Sequence, residues 1–260
     1  MVVLPCLHWR GNLVGKGTFT TDTAFATDAE GGRVANEGYP GARTYVPANA
    51  DLDQLRNGVQ KCRGCPLHAG TTQAVFGAGP ATARLVFVGE QPGDQEDRRG
   101  LPFVGPAGIL LNRALNDAGI DREQTYVTNA VKHFKFTQEG EGKRRIHQTP
   151  EQREVVACRP WLAAELRLID PDVIVALGAT AGKSLMGNDF RVTKSRGTAI
   201  AWPPPGMAAA DRRSVLLVPT VHPSAVLRAT DRDGAYAGLV ADLEVAAQAL
   251  GREPLNDPRS

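Results

Sequence analysis

Four short hydrophobic runs recur along the chain without polar alternation, and they are rich in β-branched residues: 85–88, 126–128, 173–177 and 215–218. Runs of this kind are typical of strands that are buried on both faces of a parallel sheet. Segments of helical pattern lie between and after them, at 107–118, 150–168, 179–186 and 234–250. The alternation predicts an α/β fold: a three-layer α/β/α sandwich with a central four-stranded, mainly parallel sheet.

The pattern also predicts the domain boundaries. Residues 1–50 follow no sustained period, so we interpret them as a flexible N-terminal extension to a domain at 51–250, with a C-terminal tail at 251–260. Thr149 and Pro150 predict the start of the helix at 150, as N-cap and first helical residue. The proline-rich stretch in 196–214 is interpreted as a loop insertion.

Charge and composition narrow the class of protein. The 260 residues carry a formal net charge of only +2, so any affinity for nucleic acid must come from a local patch. No run approaches the 18 or so apolar residues of a membrane span, and the N-terminus lacks the pattern of a signal peptide. Without a secretory signal, the four cysteines do not predict a disulfide framework.

Two of those cysteines, Cys62 and Cys65, are separated by two residues, and Cys158 follows far downstream. A CxxC turn can bind one metal centre from a single loop. A redox pair is the alternative, but such a pair normally opens a helix directly after a strand, whereas this motif precedes the first predicted strand. We therefore predict a metal or cluster. Three thiolates leave one ligand open, and the chain offers three histidines for it: His68, His133 and His147.

Polar residues follow three of the predicted strands. Glu90 and Asp94 lie in the loop 89–94 after the first strand, Asn129 ends the second, and His222 follows the fourth. Ligands of parallel α/β folds collect beyond the carboxyl ends of the strands. The chain has neither a GxGxxG nor a P-loop motif, so no nucleotide cofactor is predicted.

Two other loops carry candidate functional residues, but their sequence patterns are less specific for function. The loop 101–106 presents one aromatic ring, Phe103, and a basic loop at 142–147 ends in His147. Taken alone, the first is more often a hydrophobic plug and the second a solvated charged surface.

Together, GEQPG after the first strand, Asn129 after the second and HPS after the fourth resemble the uracil-DNA glycosylase superfamily. The CxxC with its distant cysteine resembles the iron–sulfur branch, which includes the family-4 enzymes. Two features depart from the ordinary family-4 pattern: His133 stands where that family has a cysteine, and the basic loop KRRIH precedes the helix at 150. Both are similar to the UdgX group, whose members bind uracil-containing DNA covalently. The resemblance covers roughly 52–250.

The resemblance implies a cofactor and three catalytic residues. Glu90 stabilises the cationic sugar or activates a nucleophile, and His222 stabilises the charge on uracil O2. His147 attacks C1′ of the sugar in place of water. A 4Fe-4S cluster is implied, with these ligands: Cys62, Cys65, His133 and Cys158.

Binding residues and partners follow from the same resemblance. Uracil is expected to contact Gln91, Asp94, Phe103 and Asn129. DNA is expected to contact Lys143, Arg144, Arg145 and Ser224. The Asn129 amide offers a donor and an acceptor to the O4/N3 edge of uracil, which disfavours cytosine. The expected partner is uracil-containing DNA, single-stranded or with the base flipped from a duplex, and the protein is expected to act as a monomer in the bacterial cytoplasm, without a membrane partner.

Two alternatives remain open from the sequence. One is a conventional glycosylase that releases uracil and turns over, against which the loop KRRIH argues. The other is a non-catalytic iron–sulfur protein that binds DNA, against which Glu90, Asn129 and His222 argue jointly.

Overall fold

The computed structural model describes residues 38–140, 142–203 and 215–251. Its strands, in chain order, are β1 (Leu85–Gly89), β2 (Thr125–Asn129), β3 (Phe136–Thr137), β4 (Ile146–His147), β5 (Val173–Leu177), β6 (Ile200–Trp202) and β7 (Val215–Thr220). Its helices are α1 (Leu52–Val59), α2 (Asp94–Arg99), α3 (Pro106–Asp117), α4 (Gln152–Ile169), α5 (Gly178–Met186), α6 (Val192–Ser195), α7 (Pro223–Arg228) and α8 (Arg232–Leu250). The α/β prediction is confirmed.

The main sheet has five strands in the order β2-β1-β5-β7-β6, one more than predicted. The four predicted strands pair in parallel, and β6 adds an antiparallel edge next to β7. The interpretation of 196–214 as a loop insertion is therefore wrong for Ile200–Trp202. Three residues are too short to give a strand signal, and this strand is held by tertiary contacts, including a hydrogen bond of 3.0 Å from Trp202 Nε1 to the Leu185 carbonyl. Residues 204–214 lie outside the described part.

Burial on both faces explains why the strands lack polar alternation. In β1, Phe87 packs in one core cluster with α3 and α8. Its neighbours Val86 and Val88 point into a second cluster, with α4 and α5. Helices therefore cover both faces of the sheet, as the predicted three-layer arrangement requires.

Helix α4 begins later than predicted. Its N-cap is Glu151, not Thr149, and Pro150 precedes the helix. The Glu154 carboxylate accepts a hydrogen bond of 2.6 Å from the Glu151 backbone N–H, as in a capping box. This hydrogen bond caps the helix at Glu151, two residues beyond the start that Thr149 and Pro150 predict.

The described residues before position 50 belong to the packed structure. Ala42 is buried and donates its backbone N–H to the Ala157 carbonyl of α4 at 2.8 Å. Gly41 donates to the Gly64 carbonyl inside the CxxC loop at 2.9 Å, and a Cβ on Gly64 would lie 2.6 Å from the Gly41 backbone. The predicted boundary at residue 50 therefore falls inside the folded region. The rest of the predicted extension, residues 1–37, and the tail from 252 lie outside the described residues.

A short hairpin crosses the carboxyl edge of the sheet. Strands β3 and β4 pair antiparallel with Phe136 opposite His147. The hairpin places the basic loop beside the ends of β1, β2, β5 and β7. None of the helices in the described parts of the chain is long and apolar enough to cross a membrane.

Candidate functional site

A cavity of about 1060 Å³ opens at the carboxyl edge of the sheet. Loops after β1, β5 and β7, the end of β2 and the hairpin line it. Most residues predicted as catalytic, base-reading or DNA-binding from the sequence border this space: Glu90, Gln91, Asp94, Phe103, Asn129, Arg144, Arg145, His147, His222 and Ser224. The structure thus brings them together from positions up to 134 residues apart in the chain.

Glu90 and His147 face each other in the cavity. Glu90 Oε1 lies 3.6 Å from His147 Nε2. The other oxygen, Oε2, accepts a hydrogen bond from the Thr180 hydroxyl on α5. The His147 side chain is 49% exposed and that of Glu90 22% exposed, so both can be reached from the cavity. This pair combines a carboxylate with an imidazole that a ligand in the cavity can reach.

The tautomer of His222 follows from its contacts. Its Nδ1 accepts a hydrogen bond of 3.1 Å from the Ser224 backbone N–H and caps the start of α7. An atom that accepts from an N–H carries a lone pair, so the ring proton of the neutral imidazole lies on Nε2. Burial, with a smaller contribution from His147, lowers the pKa of His222 to about 4. At neutral pH this residue is therefore an uncharged donor through Nε2.

Phe103 and Asn129 form the floor of the cavity. The Phe103 ring stacks near His222, with 6.2 Å between the ring centroids. Gly89, at the end of β1, lies below both of the floor residues. A Cβ at position 89 would stand 2.3 Å from Asn129 Oδ1 and 2.7 Å from Phe103 Cζ. A glycine is therefore required here, because a larger residue would displace the amide and the ring.

Arg145 anchors the hairpin that carries His147. Its guanidinium donates to Asp94 Oδ1 at 2.5 Å and to Asp97 Oδ2 at 2.6 Å, and its side chain is only 9% exposed. The guanidinium also lies over two aromatic rings, 5.4 Å from the centroid of Phe134 and 4.9 Å from that of Phe136. The sequence assigned Arg145 to phosphates and Asp94 to uracil, whereas in the structure the two groups bind each other.

The electrostatics of Asp94 agree with this arrangement. Burial alone would raise the pKa of its carboxyl group. The hydrogen bonds from Arg98 and Arg145 outweigh burial, so the pKa of Asp94 lies below its ordinary value. Asp94 is thus held as an anion by two guanidinium groups.

Gln91 also forms hydrogen bonds to the hairpin. Its Nε2 group donates to the carbonyls of Lys135 at 3.2 Å and Gln148 at 2.9 Å, and its Oε1 accepts from the Lys135 N–H at 2.9 Å. The same Nε2 lies 2.9 Å from His147 Nε2. The amide nitrogen has two hydrogens, so at most two of these three contacts are hydrogen bonds at one time. The expected contact of the Gln91 side chain with uracil would have to compete with these bonds.

The remaining predicted DNA contacts are exposed or partly exposed, and two of them, Arg144 and Ser224, border the cavity. Lys143 and Arg144 are exposed, and Ser224 lies at the start of α7, where its hydroxyl is 2.8 Å from His222 Nδ1. Arg228, which the sequence reasoning missed, is exposed and borders the same cavity. Exposed cations around an opening are the groups that contact phosphates.

The predicted cluster ligands are all buried. Cys62, Cys65 and Cys158 are free thiols between 4% and 7% exposed, and His133 is 5% exposed. Burial raises the pKa of Cys65, although a hydrogen bond from the Leu67 backbone opposes the rise. Burial likewise raises the pKa of Cys158 to about 12, against a backbone hydrogen bond of 3.3 Å from Lys132 N–H to its sulfur.

The chemistry of these four side chains is suited to binding a metal cluster. Backbone N–H groups that point at buried sulfurs stabilise thiolates, but a buried thiolate also requires a cation. Burial lowers the pKa of His133 to about 4, which leaves the imidazole neutral and able to act as a ligand. Among the described residues, no three His, Cys, Asp or Glu side chains are arranged around a single metal ion. These four side chains would hold a 4Fe-4S cluster rather than a single ion.

Comparison with known proteins shows the family of this chain. A profile of the uracil DNA glycosylase superfamily matches residues 76–244. The chain is 42% identical over 171 residues to the type-4 uracil-DNA glycosylase of Thermotoga maritima, covering 65% of this chain and 80% of that protein. It is 35% identical over 181 residues to the type-4 uracil-DNA glycosylase of Sulfurisphaera tokodaii, covering 68% and 76%. The chain therefore belongs to the uracil DNA glycosylase superfamily.

Besides Arg228, two residues that support the site were not found by sequence reasoning. Thr180 contacts Glu90 from α5, and Glu96 accepts hydrogen bonds from the Gly93 N–H at 3.1 Å and the Gly105 N–H at 2.8 Å. Glu96 thereby joins the loop after β1 to the loop that presents Phe103. Thr180 gave no local signal, because its partner Glu90 lies 90 residues earlier in the chain. Glu96 stands three residues after the N-cap Gly93, which is the spacing of a capping residue at a helix start.

Proposed function

We propose that this protein excises uracil from DNA and that His147 then captures C1′ of the abasic sugar, which leaves the protein covalently attached to DNA. The observation that carries the proposal is the pair of Glu90 and His147, 3.6 Å apart in a cavity that also contains Asn129 and His222. Membership of the superfamily and similarity to type-4 enzymes support the excision step.

In this proposal, the flipped uracil stacks on Phe103 and pairs with the Asn129 amide. The amide donates to O4 and accepts from N3–H. Cytosine presents an amino donor and an unprotonated N3 at the same places, so the pairing is lost. Extrusion of the base costs a few kcal/mol, which stacking and these hydrogen bonds offset.

Bond cleavage separates charge, and two residues are placed to stabilise it. As the N1–C1′ bond breaks, its electron pair moves into the uracil ring and negative charge accumulates on O2. The His222 Nε2–H donates to that oxygen, and as a neutral group it does so without losing its proton. Glu90, an anion on the opposite side, stabilises the positive charge on the sugar.

His147 captures the sugar cation because it lies close to C1′. The lone pair of His147 Nε2, the nitrogen that lies 3.6 Å from Glu90 Oε1, forms the bond to C1′, and the Nδ1 proton of the resulting imidazolium passes to solvent. A positioned nucleophile can have an effective molarity on the order of 10⁵ M or more, far above that of water. The imidazole therefore reaches the sugar cation before water does.

The four buried ligands complete the proposal. Cys62, Cys65, Cys158 and His133 would hold a 4Fe-4S cluster, which when bound supplies a cross-link and takes no part in bond cleavage. It would join the CxxC loop, the end of β2 and α4. The protein is proposed to act as a monomer on single-stranded DNA or on a base flipped from a duplex.

Incubation with a uracil-containing oligonucleotide, boiling in SDS and gel electrophoresis test the proposal. The wild type should give a shifted band whose DNA-linked peptide contains His147. The variant His147→Ala should lose that band but still release uracil, leaving an alkali-labile site, because the other groups remain. Lys143→Ala is the matched control from the same loop and should keep the band. A band that persists in His147→Ala, or a crosslinked peptide containing Glu90, would contradict capture by His147.

A conventional glycosylase that turns over is the second candidate. The similarity to type-4 enzymes favours it, since excision alone accounts for that relationship. In the same experiment this enzyme would process an excess of uracil-containing DNA without a stable band, while a non-catalytic binder would release no uracil at all.

A further inference from the structure

Thr180 fixes one oxygen of Glu90 and leaves the other facing His147. The hydroxyl of Thr180 donates to Glu90 Oε2 from the first turn of α5. The opposite oxygen, Oε1, is the one that lies 3.6 Å from His147 Nε2. The last torsion of a glutamate is broad and roughly two-fold, so without such a bond the carboxylate could rotate.

The first turn of α5 favours this arrangement. Negative charge is stabilised near the N-terminus of a helix, and α5 begins at Gly178, next to the cavity. Gly178 has a φ of +88°, and a Cβ there would lie 3.0 Å from His222 Cβ. This glycine lets the helix start close to His222, which brings Thr180 within reach of the carboxylate.

We propose that Thr180 is a positioning residue, which acts through Glu90 to set both the rate of excision and the share of sugar cations that His147 captures. With Oε2 fixed, Oε1 stays directed toward His147 and toward the sugar that binds beside the two residues. A carboxylate free to rotate spends less time in that orientation, and it can also hold and activate a water molecule. Excision then slows, and water competes better with the imidazole.

This inference rests on the proposed function, and the experiment separates the two. Thr180→Val removes the hydroxyl with little change in volume, and Thr180→Ser keeps it. Single-turnover uracil release by Thr180→Val should fall about tenfold or more, the scale of a hydrogen bond to a charged group. Its affinity for uracil-containing DNA should be unchanged, and a larger fraction of its product should be a free abasic site. Thr180→Ser should have the wild-type rate of uracil release and the wild-type fraction of free abasic sites.

Ser184→Ala is the matched control on the same helix. The Ser184 hydroxyl is buried and donates to the Ala181 carbonyl at 2.7 Å, away from Glu90. Its removal tests whether loss of any hydroxyl from α5 has the same effect, and we expect the wild-type rate. An equal loss in both variants would overturn the proposal.

A double-variant cycle shows whether Thr180 acts through Glu90. In the Glu90→Gln background, Thr180→Val should cost much less than in the wild type. Equal costs in both backgrounds, or a Thr180→Val variant as fast as the wild type, would overturn the positioning role. If Glu90→Gln itself excises uracil at the wild-type rate, the proposed function of Glu90 fails instead.

Discussion

Lys132 and Glu165 form an ion pair in which neither side chain is exposed to solvent. The Lys132 ammonium also donates to Thr128 Oγ1 at 2.7 Å and to the Asn129 carbonyl at 2.8 Å. The Glu165 carboxylate accepts a further hydrogen bond of 2.9 Å from the Tyr126 hydroxyl. The pair therefore connects helix α4 to the end of β2, where the proposed base-reading amide lies.

Removal of one member of this pair should be much more costly than removal of both. Lys132→Met leaves the Glu165 carboxylate buried without its cation, and such a change typically costs about 3–5 kcal/mol. The double variant Lys132→Met/Glu165→Gln removes both charges and should recover part of that loss. Urea unfolding of the purified proteins measures the difference. A single variant as stable as the wild type, or a double variant no better than the single, would show that the pair contributes little.

The buried thiols lead to a prediction on metal content. Protein purified without oxygen should be brown and contain about four irons per chain. Cys158→Ser should lose colour and folded yield together, because the free energy of metal binding contributes to folding. Cys6→Ser, outside the described residues, is the control and should keep its iron. Elemental analysis checks both variants, and stoichiometric zinc without iron in the wild type would contradict the cluster assignment.

The sequence predicted the α/β class and the four parallel strands because a strand buried on both faces has a continuous hydrophobic run. It also predicted that Glu90, Asn129 and His222 would lie together, since the carboxyl ends of parallel strands share one edge of a sheet. These inferences needed only the positions of the residues relative to the strands, not their side-chain contacts.

The contacts inside the site could not be predicted in this way. Arg145 is part of a basic run, which suggests phosphate binding, but its two acidic partners lie about fifty residues earlier in the chain. Nothing local distinguishes a paired arginine from a free one. For the same reason Thr180 gave no signal, as its partner Glu90 is ninety residues away. Strand β6 is likewise held by pairing with β7 rather than by its own composition.

His222 predicts a dependence of stability on pH. Burial lowers its pKa from the ordinary 6.5 to about 4. Between these values the unfolded chain binds a proton that the folded chain does not, so the free energy of unfolding should decrease as the pH falls from 6.5 toward 4. Protonation also removes the Nδ1 lone pair that caps α7.

The variant His222→Asn isolates this contribution. Asparagine is a good N-cap but does not titrate in this range. Urea midpoints at pH 7.5 and pH 5 should therefore differ more for the wild type than for the variant. Parallel losses in both proteins would mean that other groups, such as His133, cause the acid sensitivity.

Arg145 and its neighbour Arg144 should differ in how salt affects their contribution to DNA binding. Arg144 is exposed at the rim, so Arg144→Ala should weaken binding to DNA of any sequence and reduce the salt slope by about 1. Arg145 is committed to Asp94 and Asp97, so its replacement should leave the salt slope unchanged. Fluorescence anisotropy with uracil-free oligonucleotides over a range of salt concentrations measures both.

The same replacement should instead disturb the hairpin that carries His147. Arg145→Lys keeps the charge but loses the planar fork that binds two carboxylates and stacks on Phe134 and Phe136. His147, two residues further along the chain, is then held less firmly near C1′. Since a misplacement of about 1 Å can cost on the order of 100-fold in rate, the SDS-resistant band should decrease far more than the release of uracil. If Arg145→Lys reduced the salt slope of DNA binding as much as Arg144→Ala does and kept the band intact, Arg145 would instead be a phosphate-binding residue.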